Sequence, residues 1–127
     1  NFIPKQIMQT NDLIVRNFNH YNTILSILEK NPDYDYIYYN DLDCRNFIVE
    51  NFKESLTNYT PDENEVVDVL KAFDLLKYGA LKADLFRYCY LFVNGGIYID
   101  SKITCKTSLD FIIDENDNPI HIHYKVF

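Results

Sequence analysis

The sequence predicts an α/β fold with a largely parallel sheet. Three observations carry that expectation: the first half reads strand, helix, strand, helix; a third strand-like run, Ile97-Tyr98-Ile99-Asp100, follows a long helix; and 47% hydrophobic content with 16% aromatics supplies a packed core. Alternation of this kind makes a layered sandwich whose crossovers are right-handed and whose ligands lie at the carboxyl ends of the strands. At 127 residues the chain fits a single domain. It opens on Asn1 and a strand-like run, so it reads as a processed or excised piece, incomplete at both ends.

Taken in order, Ile3 to Thr10 is the first strand. Phe18 to Lys30 has helical apolar spacing at Phe18, Tyr21, Ile24, Leu25 and Leu28, and Asn31-Pro32 stops it. Tyr34 to Tyr39 is rich in β-formers, and Asn40-Asp41 can cap the helix Leu42 to Phe52, whose apolar face is Leu42, Phe47, Ile48 and Phe52. Ser55 to Asn64 is a polar connector. Glu65 to Tyr78 forms a helix, Gly79 interrupts it, and Ala80 to Val93 continues until Gly95-Gly96. After the strand Ile97 to Asp100, the chain to Thr107 is expected to stay extended, with Lys102, Thr104 and Lys106 on the face of Asp100. In the tail, 114–119 reads as a turn or loop and 120–124 alternates like a strand.

Bulk properties exclude several function classes. A net charge of -7 argues against a broad nucleic-acid surface, which needs clustered Lys and Arg to neutralise phosphates. The three cysteines, Cys44, Cys89 and Cys105, lack CxxC spacing and read as buried free thiols rather than a disulfide or zinc framework. Free thiols favour a reducing compartment, cytoplasmic for a natural chain. The apolar stretch Leu85 to Ile99 is broken by Arg87 and the glycine pair and is too short to span a bilayer, and no secretory signal precedes it.

The chemistry concentrates between Ala80 and Lys102. The helix there is apolar on almost every side, the mark of an internal helix, and only Lys82, Asp84 and Arg87 are charged. At ~100° per residue, Asp84 and Arg87 fall within roughly 60° of each other and Lys82 lies opposite. Read plainly, Asp84 and Arg87 are an i,i+3 ion pair worth about 0.2–0.5 kcal/mol. On an internal helix, however, burying two charges costs several kcal/mol per ion, and a pair kept at that cost points to a ligand. Gly95-Gly96 lets the chain turn tightly and approach a ligand, and the strand that follows ends at Asp100. Carboxylates accept hydrogen bonds from sugar hydroxyls, Arg87 donates a planar fork to hydroxyl or phosphate, and Tyr98 adds an aromatic surface and a hydroxyl.

The run Gly79-Ala80-Leu81-Lys82-Ala83-Asp84-Leu85-Phe86-Arg87-Tyr88, continued by Asn94-Gly95-Gly96-Ile97-Tyr98-Ile99-Asp100, resembles the DXD sugar-binding segment of glycosyltransferase family 32. That family covers α-1,6-mannosyltransferase and capsular-polysaccharide-synthesis types, and large clostridial glucosylating toxins look similar there. Ile3-Pro4-Lys5-Gln6-Ile7-Met8-Gln9-Thr10 is similar to the family's first strand and Tyr38 to Phe52 to its second strand and following helix, so the resemblance extends to about Ile103. It implies a GT-A-like (Rossmann-like) fold, in this chain its donor-binding half, and transfer of a hexose from a UDP- or GDP-linked sugar to a glycan or glycoprotein acceptor, with retention. It further implies that Asp84 and Arg87 contact the donor sugar, that Asp100 serves ribose, sugar or metal, and that Gly96 and Tyr98 belong to the same donor site.

Two positions depart from the family pattern. Asn11 stands where Trp is frequent near the base. Asp100-Ser101-Lys102 replaces Asp-X-Asp, which leaves two alternatives: Lys102 neutralises the diphosphate, or Asp100 holds Mn²⁺ or Mg²⁺ together with groups outside this chain. Two other function classes stay open: a non-catalytic nucleotide-sugar or carbohydrate-binding module with a degenerate motif, and a structural subunit that has lost the site. No catalytic base is identifiable. His121-x-His123 has metal-compatible spacing without an evident third ligand, His20 reads as structural or solvated, and Asp41 and Asp43 as helix-start acids.

Overall fold

A computed structural model describes residues 3–12, 17–53 and 68–113. In chain order these form β1 (Gln6–Thr10), α1 (Phe18–Lys30), β2 (Asp35–Tyr39), α2 (Asp41–Phe52), α3 (Val69–Leu75), α4 (Gly79–Asn94), β3 (Ile97–Tyr98) and a 3₁₀ turn at Leu109–Phe111. The fold is α/β, with a three-stranded sheet in the order β2-β1-β3. β1 and β3 run parallel with Ile7 opposite Ile97 and Met8 opposite Tyr98. Central in the sheet, β1 carries Ile7, Met8 and Gln9 at 1% exposure or less, the burial expected of a parallel strand covered on both faces. The expected connector 55–64 and the tail from 114, including His121 and His123, lie outside the described residues.

The described residues divide into two compact units: 3–9, 17–37 and 95–113 form the first, and 10–12, 38–53 and 68–94 the second. In the first, Ile7, Ile27, Ile99 and Leu109 make the core, with Tyr34, Tyr36, Ile97, Cys105 and Ile113 packed against it. Its helix α1 begins at Asn17, whose side chain accepts the backbone N–H of His20, and ends at Asn31. His20 is buried, so its structural reading holds and its solvated one does not. Asn31 closes the helix by donating its side-chain amide to the Ile27 carbonyl at 2.9 Å.

The second unit is held by aromatic rings. Tyr39 lies 5.1 Å from Phe86 and 5.6 Å from Tyr90 between ring centroids, and Phe47 lies 5.5 Å from both Phe86 and Tyr90. Helix α2 starts in a reciprocal capping box, Asn40 accepting from the Asp43 backbone and Asp43 from that of Asn40, so of the two acids at its start Asp43 closes the box. Arg45 grips Asp74 with two hydrogen bonds of 3.0 Å, joining α2 to α3. Cys44 and Cys89 are buried free thiols and Cys105 is half-buried, also free.

Several expectations change. On α1 the expected face does not pack: Phe18, Tyr21 and Leu28 are exposed and His20, Thr23 and Ile27 are buried; on α2 Leu42 is exposed while Phe47, Ile48 and Phe52 are buried as expected. The helix expected over Glu65 to Tyr78 is described from Val69 and stops at Leu75, and α4 starts at Gly79 itself. Helix α4 is not internal: it buries Phe86, Cys89 and Tyr90 and leaves Leu81, Tyr88, Phe92 and Val93 exposed. A helix apolar on all sides does not tell from composition which side packs, and in α4 the i, i+3, i+4 set facing the rings wins. Finally, the strand after Gly96 ends at Tyr98 and does not continue through Thr107.

Candidate functional site

Within the first unit, Gly95 and Gly96 take positive φ values of 67° and 96°, conformations that side-chain-bearing residues rarely adopt. At Gly96 a Cβ would sit 2.9 Å from the backbone oxygen of Gln6. The close approach at this glycine is therefore to the edge of β1, and it sets β3 in register beside the central strand. Backbone pairing extends one residue past β3, where the Ile99 N–H donates to the Met8 carbonyl at 3.2 Å. Tyr98 is half-buried on β3.

Asp100 then leaves the carboxyl end of the sheet in a tight turn. Its carbonyl accepts the Ile103 N–H at 3.0 Å, and its carboxylate Oδ1 accepts the Lys102 N–H at 3.0 Å. This turn is why the expected strand stops: Asp100 satisfies the backbone two and three residues ahead, in the manner of an Asx turn, so the chain bends and Lys102 does not share a strand face with Asp100. Both side chains are exposed. Gln9, which sequence patterning passed over, reaches the same turn by donating Nε2–H to the Asp100 carbonyl at 3.3 Å. The only signal for it was a long amide directly after the apolar pair Ile7-Met8 in the first strand.

In the second unit, Asp84 and Arg87 come together as the helical spacing requires, with 3.2 Å between Oδ1 and Nη2. The guanidinium also lies 5.4 Å from the centre of the Tyr88 ring. The pair is not buried: the side chains are 52% and 29% exposed. Burial therefore imposes no large desolvation cost on Asp84 and Arg87, which form a partly exposed ion pair of modest energy. On the opposite side of α4, Lys82 lays its ammonium 5.1 Å from the Phe73 ring rather than running free into water. Asn11 accepts the Tyr38 hydroxyl on its carbonyl at 2.8 Å and the Asp12 N–H on its side chain at 2.9 Å.

Neither buried thiol suits nucleophilic chemistry, because burial pushes Cys44 up to about 12 and raises Cys89 as well. Among the described residues no three His, Cys, Asp or Glu side chains gather as a metal cage. With one Asp100 oxygen committed to the Lys102 N–H and an ammonium two residues on, the turn alone is a poor fit to a divalent cation. None of the described helices is long and apolar enough to cross a membrane.

The acid-bearing turn thus lies at the carboxyl end of the parallel pair β1 and β3, the edge at which α/β sheets place their ligands. Residues 17–126 match the family model described as "glycosyltransferase sugar-binding region containing DXD motif", and the chain belongs to that family. Inositol phosphoceramide mannosyltransferase 3 of Schizosaccharomyces pombe is 32% identical over 85 residues, covering 67% of this chain and 20% of that protein. Inositol phosphoceramide mannosyltransferase 2 of the same yeast is 32% identical over 88 residues, 69% of this chain and 21% of the relative. Initiation-specific alpha-1,6-mannosyltransferase of Candida albicans is 36% identical over 72 residues, 57% of this chain and 16% of the relative. The chain thus spans about a fifth of the length of these relatives. No solved structure matches it.

Proposed function

We propose that this chain is the donor-binding part of a hexosyltransferase that moves a sugar from a nucleotide diphosphate to a glycan acceptor with retention. The observation that carries the reading is Asp100, the first acid of the family's motif, standing in a turn at the carboxyl end of a parallel sheet. Asp84 and Arg87 take the sugar, and Tyr98 and Gly96 serve donor binding. Asp100 takes ribose or sugar hydroxyls and Lys102 the diphosphate. The names of the relatives favour mannose as the sugar and GDP-mannose as the first donor to try.

The leaving diphosphate helps to deprotonate the acceptor hydroxyl, so the protein's main contribution is electrostatic: fixed positive charge where negative charge develops on the leaving group. Lys102 supplies that charge in place of a metal ion held directly by a second carboxylate. Its position in the motif also favours a second reading, a module that binds nucleotide sugars without turning them over.

A thermal-shift screen of GDP-mannose, UDP-glucose and other nucleotide sugars against the full-length protein, with Mn²⁺ and with EDTA, separates these readings. Stabilisation by a donor in EDTA, together with donor hydrolysis, supports the proposal, because a ligand that binds only the native state raises its melting point. Binding without hydrolysis supports the second reading. Activity that disappears in EDTA and returns with Mn²⁺ means that a metal ion, and not the Lys102 ammonium, neutralises the diphosphate. Arg87→Lys keeps the charge and loses the planar fork, and is expected to weaken the donor about tenfold, near the value of one charge-assisted hydrogen bond.

A further inference from the structure

We infer that Gln9 is a positioning residue for the turn that carries Asp100 and Lys102, tying that turn through the sheet to Tyr36 on β2. The inference rests on the donor-site reading for its functional meaning, although the geometry stands by itself.

Gln9 is 1% exposed in the central strand, where an amide is retained only if both of its ends are bonded. Both are. Nε2 lies 3.3 Å from the Asp100 carbonyl oxygen, and Oε1 lies 2.7 Å from the Tyr36 hydroxyl. The orientation of the amide follows from chemistry: a carbonyl can only accept, so the nitrogen must face Asp100. Oε1 then faces Tyr36, whose hydroxyl must donate. Burial pushes that hydroxyl up to about 12, so it keeps its proton throughout the neutral range.

A chain of donors thus runs from Tyr36 on β2 through Gln9 on β1 to Asp100 in the turn after β3. At its end the Asp100 carbonyl takes two hydrogen bonds, one from Ile103 that closes the turn and one from Gln9 that anchors it. The bonds from Lys102 and Ile103 are local to the turn, whereas the bond from Gln9 reaches it from the neighbouring strand. A ligand can engage the Asp100 carboxylate at either oxygen, and the Gln9 anchor depends on neither, because it is made to the backbone carbonyl. Gln9 therefore holds Asp100 and Lys102 where they stand while the carboxylate changes partner.

Hydrogen exchange and donor binding test this together in the full-length protein. Gln9→Met keeps the length of the side chain and removes both hydrogen bonds. Tyr36→Phe keeps the ring in the core and frees the amide to rotate, a gentler change should the first variant fold poorly. In both, the Lys102 and Ile103 amides are expected to exchange faster while amides of α1 keep their wild-type rates. GDP-mannose is expected to bind about tenfold more weakly, the equivalent of one lost hydrogen bond. Unchanged exchange at those two amides overturns the inference, as does acceleration spread evenly over the unit, which marks ordinary core damage. Faster exchange there with wild-type GDP-mannose affinity also overturns it. A wild-type protein that binds no nucleotide sugar defeats the donor reading alone, and the two amides then decide whether Gln9 sets the turn.

Discussion

Asn31 holds the Leu109 backbone N–H on its side-chain oxygen at 2.7 Å, across 78 residues of sequence. The same amide donates to Ile27, so one 3% exposed side chain both ends α1 and fastens the 3₁₀ turn to it. Asn31→Leu fills similar space and strands a buried N–H, which is expected to lower unfolding free energy by about 1–3 kcal/mol. Asn31→Asp keeps the acceptor for Leu109 but points an oxygen at the Ile27 carbonyl. Urea midpoints should rank wild type above both variants; equality with wild type would mean that water serves Leu109 as well.

Gly96 and Gly95 separate two effects of adding a methyl group. At Gly96 both the backbone angle and a 2.9 Å approach to the Gln6 backbone oxygen oppose it, and neither obstacle is a flexible side-chain end. At Gly95 the φ of 67° is the left-handed region that Asn tolerates, and the neighbour at 3.3 Å is a Pro4 ring carbon. Gly96→Ala is expected to cost roughly 1–3 kcal/mol by denaturant unfolding and Gly95→Asn well under 1 kcal/mol. The reverse order would place the strain at the wrong glycine.

The order of strands and helices could be read from the sequence because each depends on local periodicity. Phe18 to Lys30 has the predicted bounds although the face that packs is His20, Thr23 and Ile27 rather than Phe18, Tyr21 and Leu28, and Asn40 caps α2 as its short side chain suggests. The exposed side of α4 was not legible, since Leu81, Tyr88 and Phe92 are the same kinds of residue as the buried Phe86, Cys89 and Tyr90 and only the partner rings decide which side packs. Nor was the turn at Asp100. Alternation through Lys102, Thr104 and Lys106 looks extended, but the Asp100 carboxylate and carbonyl compete locally for the following N–H groups, and that competition leaves no periodic trace. Gln9 escapes a reading by pattern for the related reason that its two partners come from β2 and from the second residue after β3.

Alkaline pH should unfold this chain early. Burial, followed by the carboxylates of Asp41 and Asp43, pushes the Cys44 thiol from 9.0 up to about 12, and burial takes Tyr36 and Tyr90 from 10.0 to about 12. The folded state therefore holds these protons more tightly than the unfolded chain. Their stabilising contribution is complete below pH 9, the ordinary thiol value, and is lost as pH rises towards about 12, because the unfolded state then binds fewer protons. Urea midpoints should fall steadily from about pH 9 to about pH 11, and Tyr36→Phe should flatten that slope. A midpoint independent of pH over that range would show the hydroxyls and the thiol to be as free as in the unfolded chain.

Lys102→Asp restores the second acid of the family's motif on the turn that Asp100 begins. In the wild type Lys102 stands there and one Asp100 oxygen accepts the Lys102 N–H; on the donor-site proposal the ammonium repels a cation and neutralises phosphate. The substitution changes two charges at once, removing the repulsion and adding a hard oxygen ligand two residues from the first. Mn²⁺ is therefore expected to raise the melting temperature of the variant and not of the wild type, with saturating metal adding about 2–3 kcal/mol at a hundredfold excess over its Kd. Without metal the variant should be no more stable than wild type, since two carboxylates now share one turn. Donor binding should shift in the same sense, from insensitive to EDTA in the wild type to dependent on Mn²⁺ in the variant. Equal responses of the two proteins to Mn²⁺ would mean that the charge at position 102 does not govern how the diphosphate is held.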